Sequence, residues 1–167
     1  MNNIHWSVYG KIQDLTASSG TIAYTYDPAG QRVTKTAGGV TTYYVRDAQG
    51  NTLAVYDNKL SHFNWREQHL YGSSRLGMWT PNVNLATNNA ATVWDTLGHK
   101  QFELTNHLGN VMTTISDKRT GHLGPDGVTI DFYQPDITTA QDYYAFGSLM
   151  PSRTFTSSNV YRYGFNG

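Results

Sequence analysis

An all-β fold is what this sequence predicts, with antiparallel β-hairpin repeats forming a curved sheet or partial β-spiral and very little helix. Three observations carry that expectation. First, a turn motif recurs. Tyr26-Asp27-Pro28-Ala29-Gly30-Gln31-Arg32-Val33 is followed 20 residues later by Arg46-Asp47-Ala48-Gln49-Gly50-Asn51-Thr52-Leu53, and a degenerate copy stands at Thr105-Asn106-His107-Leu108-Gly109-Asn110-Val111. Second, the flanks of these motifs are rich in Tyr, Val and Thr, which fit a pleated, half-buried surface. Third, no segment holds a 3.6-residue apolar period, and Thr138–Asp142 is the only modest helix candidate.

The motif has a physical reading. Asp or Asn at the first turn position accepts hydrogen bonds from backbone N–H groups further along, and Gly three positions on enters the left-handed region without steric cost. Ile22–Tyr26 leads into the first turn and Gln31–Thr36 leads out; Thr41–Val45 and Asn51–Tyr56 flank the second. Both read as strand–turn–strand units. Before them, Ser7–Leu15 alternates apolar and polar residues like a short strand. After them, Asp57-Asn58-Lys59 reads as a tight turn into Ser61–Trp65, and Glu67–Gly72 pairs through Ser73-Ser74 with Arg75–Trp79.

The second half is less regular. Pro81–Thr92 is rich in Asn, Ala and Thr without periodicity and reads as a long loop. Val93–Leu97 and Lys100–Asn106 read as strands around Gly98-His99, and Asn110–Ser116 as a strand with Val111, Met112 and Ile115 to bury. Asp117–Gly121 reads as a turn. Gly124–Thr138 carries breakers (Gly124, Pro125, Gly127, Pro135) around one short strand, Val128–Tyr133. Two aromatic tracts, beginning at Gln141 and at Tyr161, close the chain.

The 167 residues suit a single domain, 1–167, or a piece of something larger, and the abrupt ending on Tyr-Gly-Phe-Asn-Gly favours a piece. Lys+Arg 12 balances Asp+Glu 12, so charge gives no case for nucleic acid or an anionic membrane surface. Cys is absent, which removes disulfides and thiolate metal sites. No run approaches the length of a membrane span, and Met1–Trp6 lacks the basic and apolar regions of a signal peptide.

These motifs, in this order, resemble the Rhs (rearrangement hotspot) or YD-repeat family. Tyr26–Val33 matches its Tyr-Asp-x-x-Gly repeat, and Arg46–Leu53 matches with Arg46 in place of Tyr. Thr105–Val111 is similar to the family's Asn-His-Leu-Gly-Asn-Val string. Gln141–Met150 with Tyr161–Gly167 is similar to the end of the Rhs-associated core of Bacteroidetes type. The resemblance covers most of the chain and is weakest from Asn58 to Thr92. It implies a spiral of hairpins that forms a hollow shell around a C-terminal toxin, like the cocoon of insecticidal toxin complexes or the teneurin barrel. Under it the chain is a non-catalytic wall segment, secreted or at a cell surface within a longer chain. Its partners are the remaining shell repeats and the toxin. Many relatives self-cleave at an Asp-Pro pair near the end of the core; Asp27-Pro28 lies inside an ordinary repeat, so no self-cleavage is expected.

Candidate residues follow from these readings. Tyr26, Asp27, Gly30, Asp47, Gly50, Asn106, His107, Gly109, Asp117 and Gly121 are expected to be structural turn residues. One carboxylate per hairpin is too few for calcium, and the scattered His residues lack zinc spacing, so neither a metal nor a cofactor is expected. Trp79, Trp94, Tyr143, Tyr144, Phe146, Tyr161 and Tyr163, with Phe165, are cross-strand packing or, alternatively, an interaction surface. An adhesion module that holds glycans on Tyr and Trp is the rival function. A hydrolase is third, without a Gly-x-Ser-x-Gly elbow to support it. Open sheet edges invite self-association.

Overall fold

The computed structural model describes residues 3–87, 93–157 and 161–165, and in them the chain is all-β. One open antiparallel sheet, not closed into a barrel, takes thirteen strands in the order β1-β2-β3-β4-β5-β6-β7-β8-β10-β11-β12-β13, with β9 paired to β7. The strands are β1 (Asn3–Trp6), β2 (Ile12–Ala17), β3 (Gly20–Tyr26), β4 (Arg32–Ala37), β5 (Val40–Arg46), β6 (Thr52–Asp57), β7 (Asn64–Tyr71), β8 (Arg75–Trp79), β9 (Val83–Asn84), β10 (Lys100–Thr105), β11 (Val111–Leu123), β12 (Ile130–Tyr143) and β13 (Leu149–Thr156). A single three-residue 3-10 turn, Lys59–Ser61, is the only helical piece among the described residues. Apart from β9, sequence neighbours are sheet neighbours, as expected for a chain of hairpins.

Contacts gather into two compact units. Unit 1 is Met1–His69 with Thr80–Trp94; unit 2 is Leu70–Trp79 with Asp95–Gly167. In unit 1, hairpins alternate two kinds of connection. Ala37 pairs directly with Val40, so Gly38-Gly39 make a two-residue turn, and both have positive φ (56° and 77°) as a primed turn requires. The β1–β2, β3–β4 and β5–β6 connections are the five-residue corners described below. Ala54 and Val55 are adjacent in β6, hence point to opposite faces, and both are buried. Cross-strand aromatics tie β5, β6 and β7. Tyr43 pairs with Tyr56, Tyr56 pairs with Trp65, and Phe63 stacks on Tyr56 at 5.4 Å and 8°. Unit 2 packs Met78, Val111 and Tyr161 together with Tyr163 against them. Beside this core Thr114 sits fully buried, its hydroxyl bonded to Thr138 (2.6 Å) and Thr139 (2.7 Å).

Several expectations change. Ser7–Gly10 is a turn between β1 and β2, not part of a strand. The Pro81–Thr92 loop contains β9, anchored by Val83, which is 3% exposed and opposite Trp65; its residues 88–92 lie outside the described residues. Val93–Leu97 forms turns, and the strand there begins only at Lys100, opposite Trp79. Asp117 and Gly121 are not turn residues, because both lie inside β11. From Ile115 to Arg119 strand β11 advances four residues while its partner advances two, from Ile137 to Pro135. The polar run is thus absorbed as a bulge, and its groups are satisfied there. Asp117 Oδ1 accepts from the Gly98 N–H (2.6 Å), and its Oδ2 accepts from Lys100 Nζ (3.0 Å). Ser116 Oγ donates to Asp136 Oδ2 at 2.6 Å. The same bulge explains how Pro135, which has no N–H to give, sits within a long strand. Gly121 faces Tyr133 without a positive φ, and Ile130 lies over it, so its small size makes room for a side chain and not for a corner. Thr138–Asp142 is strand, not helix, held by the Thr114 hydroxyl contacts.

Candidate functional site

The recurrent corner is the best-defined local structure in the chain. Its geometry is fixed by two backbone bonds. In the Asp27 corner, Asp27 N–H donates to the Gln31 carbonyl (2.9 Å) and Gly30 N–H donates to the Asp27 carbonyl (2.9 Å). The same pair closes corners that start at Ser7, Asp47, Asn106 and Tyr144, with distances of 2.7–3.1 Å. The sequence motif marks three of these five; Ser7-Val8-Tyr9-Gly10-Lys11 and Tyr144-Ala145-Phe146-Gly147-Ser148 are the others. Each fourth residue is a Gly with positive φ, between 70° at Gly10 and 89° at Gly50 and Gly147. Each corner also ends in the same irregular register, in which the residue before the corner faces the residue six further on, as Tyr26 faces Arg32 and Arg46 faces Thr52.

The first corner residue contributes its side chain as well. Ser7 Oγ, Asp27 Oδ1, Asp47 Oδ1 and Asn106 Oδ1 each accept from the N–H of the fifth residue, at 3.1, 2.8, 2.8 and 3.1 Å. Tyr144 has no short acceptor, so its corner stands on the backbone bonds and Gly147. The Asn51 side-chain amide and three backbone N–H groups hold the Asp47 carboxyl below its ordinary value against a weaker opposing effect of desolvation. Asn106 and Gly109 hold the acceptor and positive-φ positions of their corner, and His107 is exposed at its second position.

At three of the five corners the residue before the corner ties one module to the previous one. Tyr26 Oη donates to the carbonyl of Ile12 (2.8 Å), which lies five residues past the start of the Ser7 corner. Arg46 Nε donates to the carbonyl of Arg32 (3.2 Å), five past the Asp27 corner. Tyr143 Oη donates to the carbonyl of Val111 (3.1 Å), five past the Asn106 corner. Arg46 thus replaces Tyr without losing the tie, and its Nη1 adds bonds to the Gly50 carbonyl (2.8 Å) and Thr52 Oγ1 (2.9 Å). Small contacts stack the corners too. Lys11 lies against Gly30, and Gln31 lies against Gly50.

The seven aromatics set out as a surface separate into two groups. Trp79 (5% exposed) and Tyr161 (7%) are core residues, and Tyr163 packs on that core. Tyr161 donates its hydroxyl to Glu103 Oε1, which also receives Arg75 Nε at 2.7 Å, and the Arg75 guanidinium lies 3.6 Å over the Tyr163 ring. Burial first, and the Glu103 carboxylate second, push the Tyr161 hydroxyl far above its ordinary value. Tyr143 is half-buried, edge-on to Phe165 at 5.7 Å. Trp94, Tyr144 and Phe146 remain exposed, Phe146 almost completely (99%) and at a positive φ of 73°. Exposed aromatics that the motifs did not single out, Trp6 and Tyr9, line an open cleft with Tyr24, Tyr26 and Pro28 beside the first two corners. The distal halves of β11 and β12, Arg119–Leu123 opposite Ile130–Pro135, pair with each other alone and expose Leu123, Ile130, Phe132 and Tyr133.

Among the described residues no group of three or more His, Asp or Glu side chains converges to hold a metal ion. No described helix is long and apolar enough to cross a membrane. No protein-family model matches the chain, and no curated protein matches it either.

Proposed function

We propose that this chain is a non-catalytic wall segment of an Rhs-type polymorphic toxin, one that encloses or presents a C-terminal toxin within a longer secreted or surface-displayed polypeptide. The observation that carries the reading is the tie from a corner to the previous module, made at three of the five corners, by Tyr26, Arg46 and Tyr143. A wall must extend by adding like units, and a unit whose partner is its own predecessor does that. The two outermost strands, β1 and β13, each have a neighbour on one side only, which suits continuation by further repeats or by self-association. Sequestration is the mechanism: the wall separates the toxin from water and from targets until delivery, with no covalent step of its own.

The test uses the natural polypeptide that contains this segment. Protease digestion under native conditions leaves the region downstream of the segment intact, while the same region made alone is cut. Equal cleavage in both settings, or a natural reading frame with no further domain, overturns the reading. Adhesion is the second reading, favoured by the cleft lined by Trp6, Tyr9, Tyr24 and Tyr26. Glycan-array binding lost in Trp6→Ala and Tyr9→Ala with the fold retained decides for it; Trp79→Ala is no test, because Trp79 is core.

A further inference from the structure

We propose that Arg32 and Arg46 form a binding site for an oxyanion, a carboxylate or phosphate group, on the β3–β5 part of unit 1. Arg32 is the first half of the site. Its guanidinium lies 5.5 Å from the centre of the Tyr24 ring and 5.0 Å from that of Tyr44, so two aromatic faces hold it in place. Its side chain makes no hydrogen bond and no ion pair among the described residues, and its Nε is shielded from solvent without an acceptor. A shielded donor with nothing to donate to is unfavourable, and most such groups in folded proteins have a partner.

Arg46 is the second half of the site. Three donated bonds, to the Arg32 carbonyl, the Gly50 carbonyl and Thr52 Oγ1, fix its head group. Its guanidinium lies 5.7 Å from the centre of the same Tyr44 ring, and no carboxylate reaches it. Two cations are therefore fixed around one ring. Lys35, directly opposite Tyr24 across β3 and β4, adds a third charge nearby and has no acidic partner.

The acids of unit 1 are committed elsewhere. Asp14 meets His5, Asp57 meets Arg66, Glu67 meets His69, and Asp27 and Asp47 close their own corners. Fixed cations without acidic partners favour an oxyanion as their counter-charge. The planar donor fork of Arg suits two-pronged contact with carboxylate or phosphate. Clamping by Tyr24 and Tyr44 orders that fork beforehand, which lowers the entropy lost on binding. Packing alone accounts for Arg46, whose bonds close a corner. It leaves the donors of Arg32 unused.

The test reads the arginine Nε–H signals of the nitrogen-15-labelled chain. Inorganic phosphate and acetate are titrated separately at constant ionic strength, with sodium chloride as the balancing salt. The expected result is saturable, joint movement of the Arg32 and Arg46 signals with Arg153 unmoved; the anion that saturates at lower concentration identifies the favoured group. Arg32→Gln weakens that binding at least tenfold, and Arg32→Lys, which keeps the charge but not the fork, falls between. Movement that never saturates, that chloride reproduces, or that Arg32→Gln leaves unchanged overturns the proposal. Should Arg32→Gln fail to fold, the wild-type titration decides: joint saturable movement supports the site, and anything else rejects it.

Discussion

Removing one hydroxyl measures what the inter-module tie contributes. In Tyr26→Phe the ring stays and the 2.8 Å bond to the Ile12 carbonyl goes. A neutral, partly buried hydrogen bond of this kind is worth about 1 kcal/mol net. For a chain of this size that corresponds to a fall of about 2–4 °C in the midpoint of thermal unfolding. Tyr143→Phe provides the internal comparison. Its Oη and Gln141 Nε2 both donate to the Val111 carbonyl at 3.1 Å, so the acceptor keeps a partner when the hydroxyl is deleted. The cost there falls below about 0.5 kcal/mol, since no acceptor is left bare. Thermal unfolding followed by near-ultraviolet circular dichroism reads both variants. A Tyr26→Phe chain as stable as the parent, or one that loses no more than Tyr143→Phe, refutes the idea that these bonds hold the modules together.

Three further outcomes follow from the geometry. Gly77→Ala drives a Cβ into the Gln101 carbonyl oxygen and to 2.9 Å from Phe102 Cα. The clash is with backbone of the paired strand, so a loss of about 3 kcal/mol in urea unfolding is expected. Tyr161→Phe removes a donor from the Glu103 carboxylate, whose side chain is 2% exposed, and is expected to cost about 1.5–3 kcal/mol by the same assay. Acid unfolding has a defined sign. Desolvation raises the Asp57 and Asp117 carboxyls, but hydrogen bonds to Arg66 and Asn64, and to Lys100 and Gly98, outweigh it and leave both lowered in the folded chain. Their stabilisation is complete above the unfolded value of about 3.9 and is lost as pH falls through the lower folded values. Stability therefore declines below about pH 4, and Asp117→Asn makes that decline shallower; an unchanged acid limb in this variant contradicts the assignment.

The hairpins of the first half were legible because local chemistry there decides the backbone. An Asp or Asn acceptor and a Gly with positive φ leave few alternatives, and Tyr, Thr and Val fill the strands. Ser7 and Tyr144 escaped the motif for the same reason seen from the other side. Ser supplies the same acceptor under a different letter, and the Tyr144 corner dispenses with the side chain altogether. The second half misled because its punctuation is overruled by pairing. Asp117 has the composition of a turn, yet Lys100 and Gly98 lie across from it and make a strand bulge satisfactory. Pro135 marks a break only where its missing N–H is needed. The tyrosines of the last tract could not be sorted by pattern, since contact with Arg75, Glu103 and Met78, distant in sequence, is what buries Tyr161 and Tyr163.

The five corners also bear on how such chains drift. Because main-chain bonds and one achiral residue define each bend, the remaining letters are free to change while the bend persists. A census based on a tyrosine–aspartate spelling will undercount the building blocks of proteins made this way, and old, heavily substituted copies will be the first to vanish from it. Counting bends from coordinates instead would recover them.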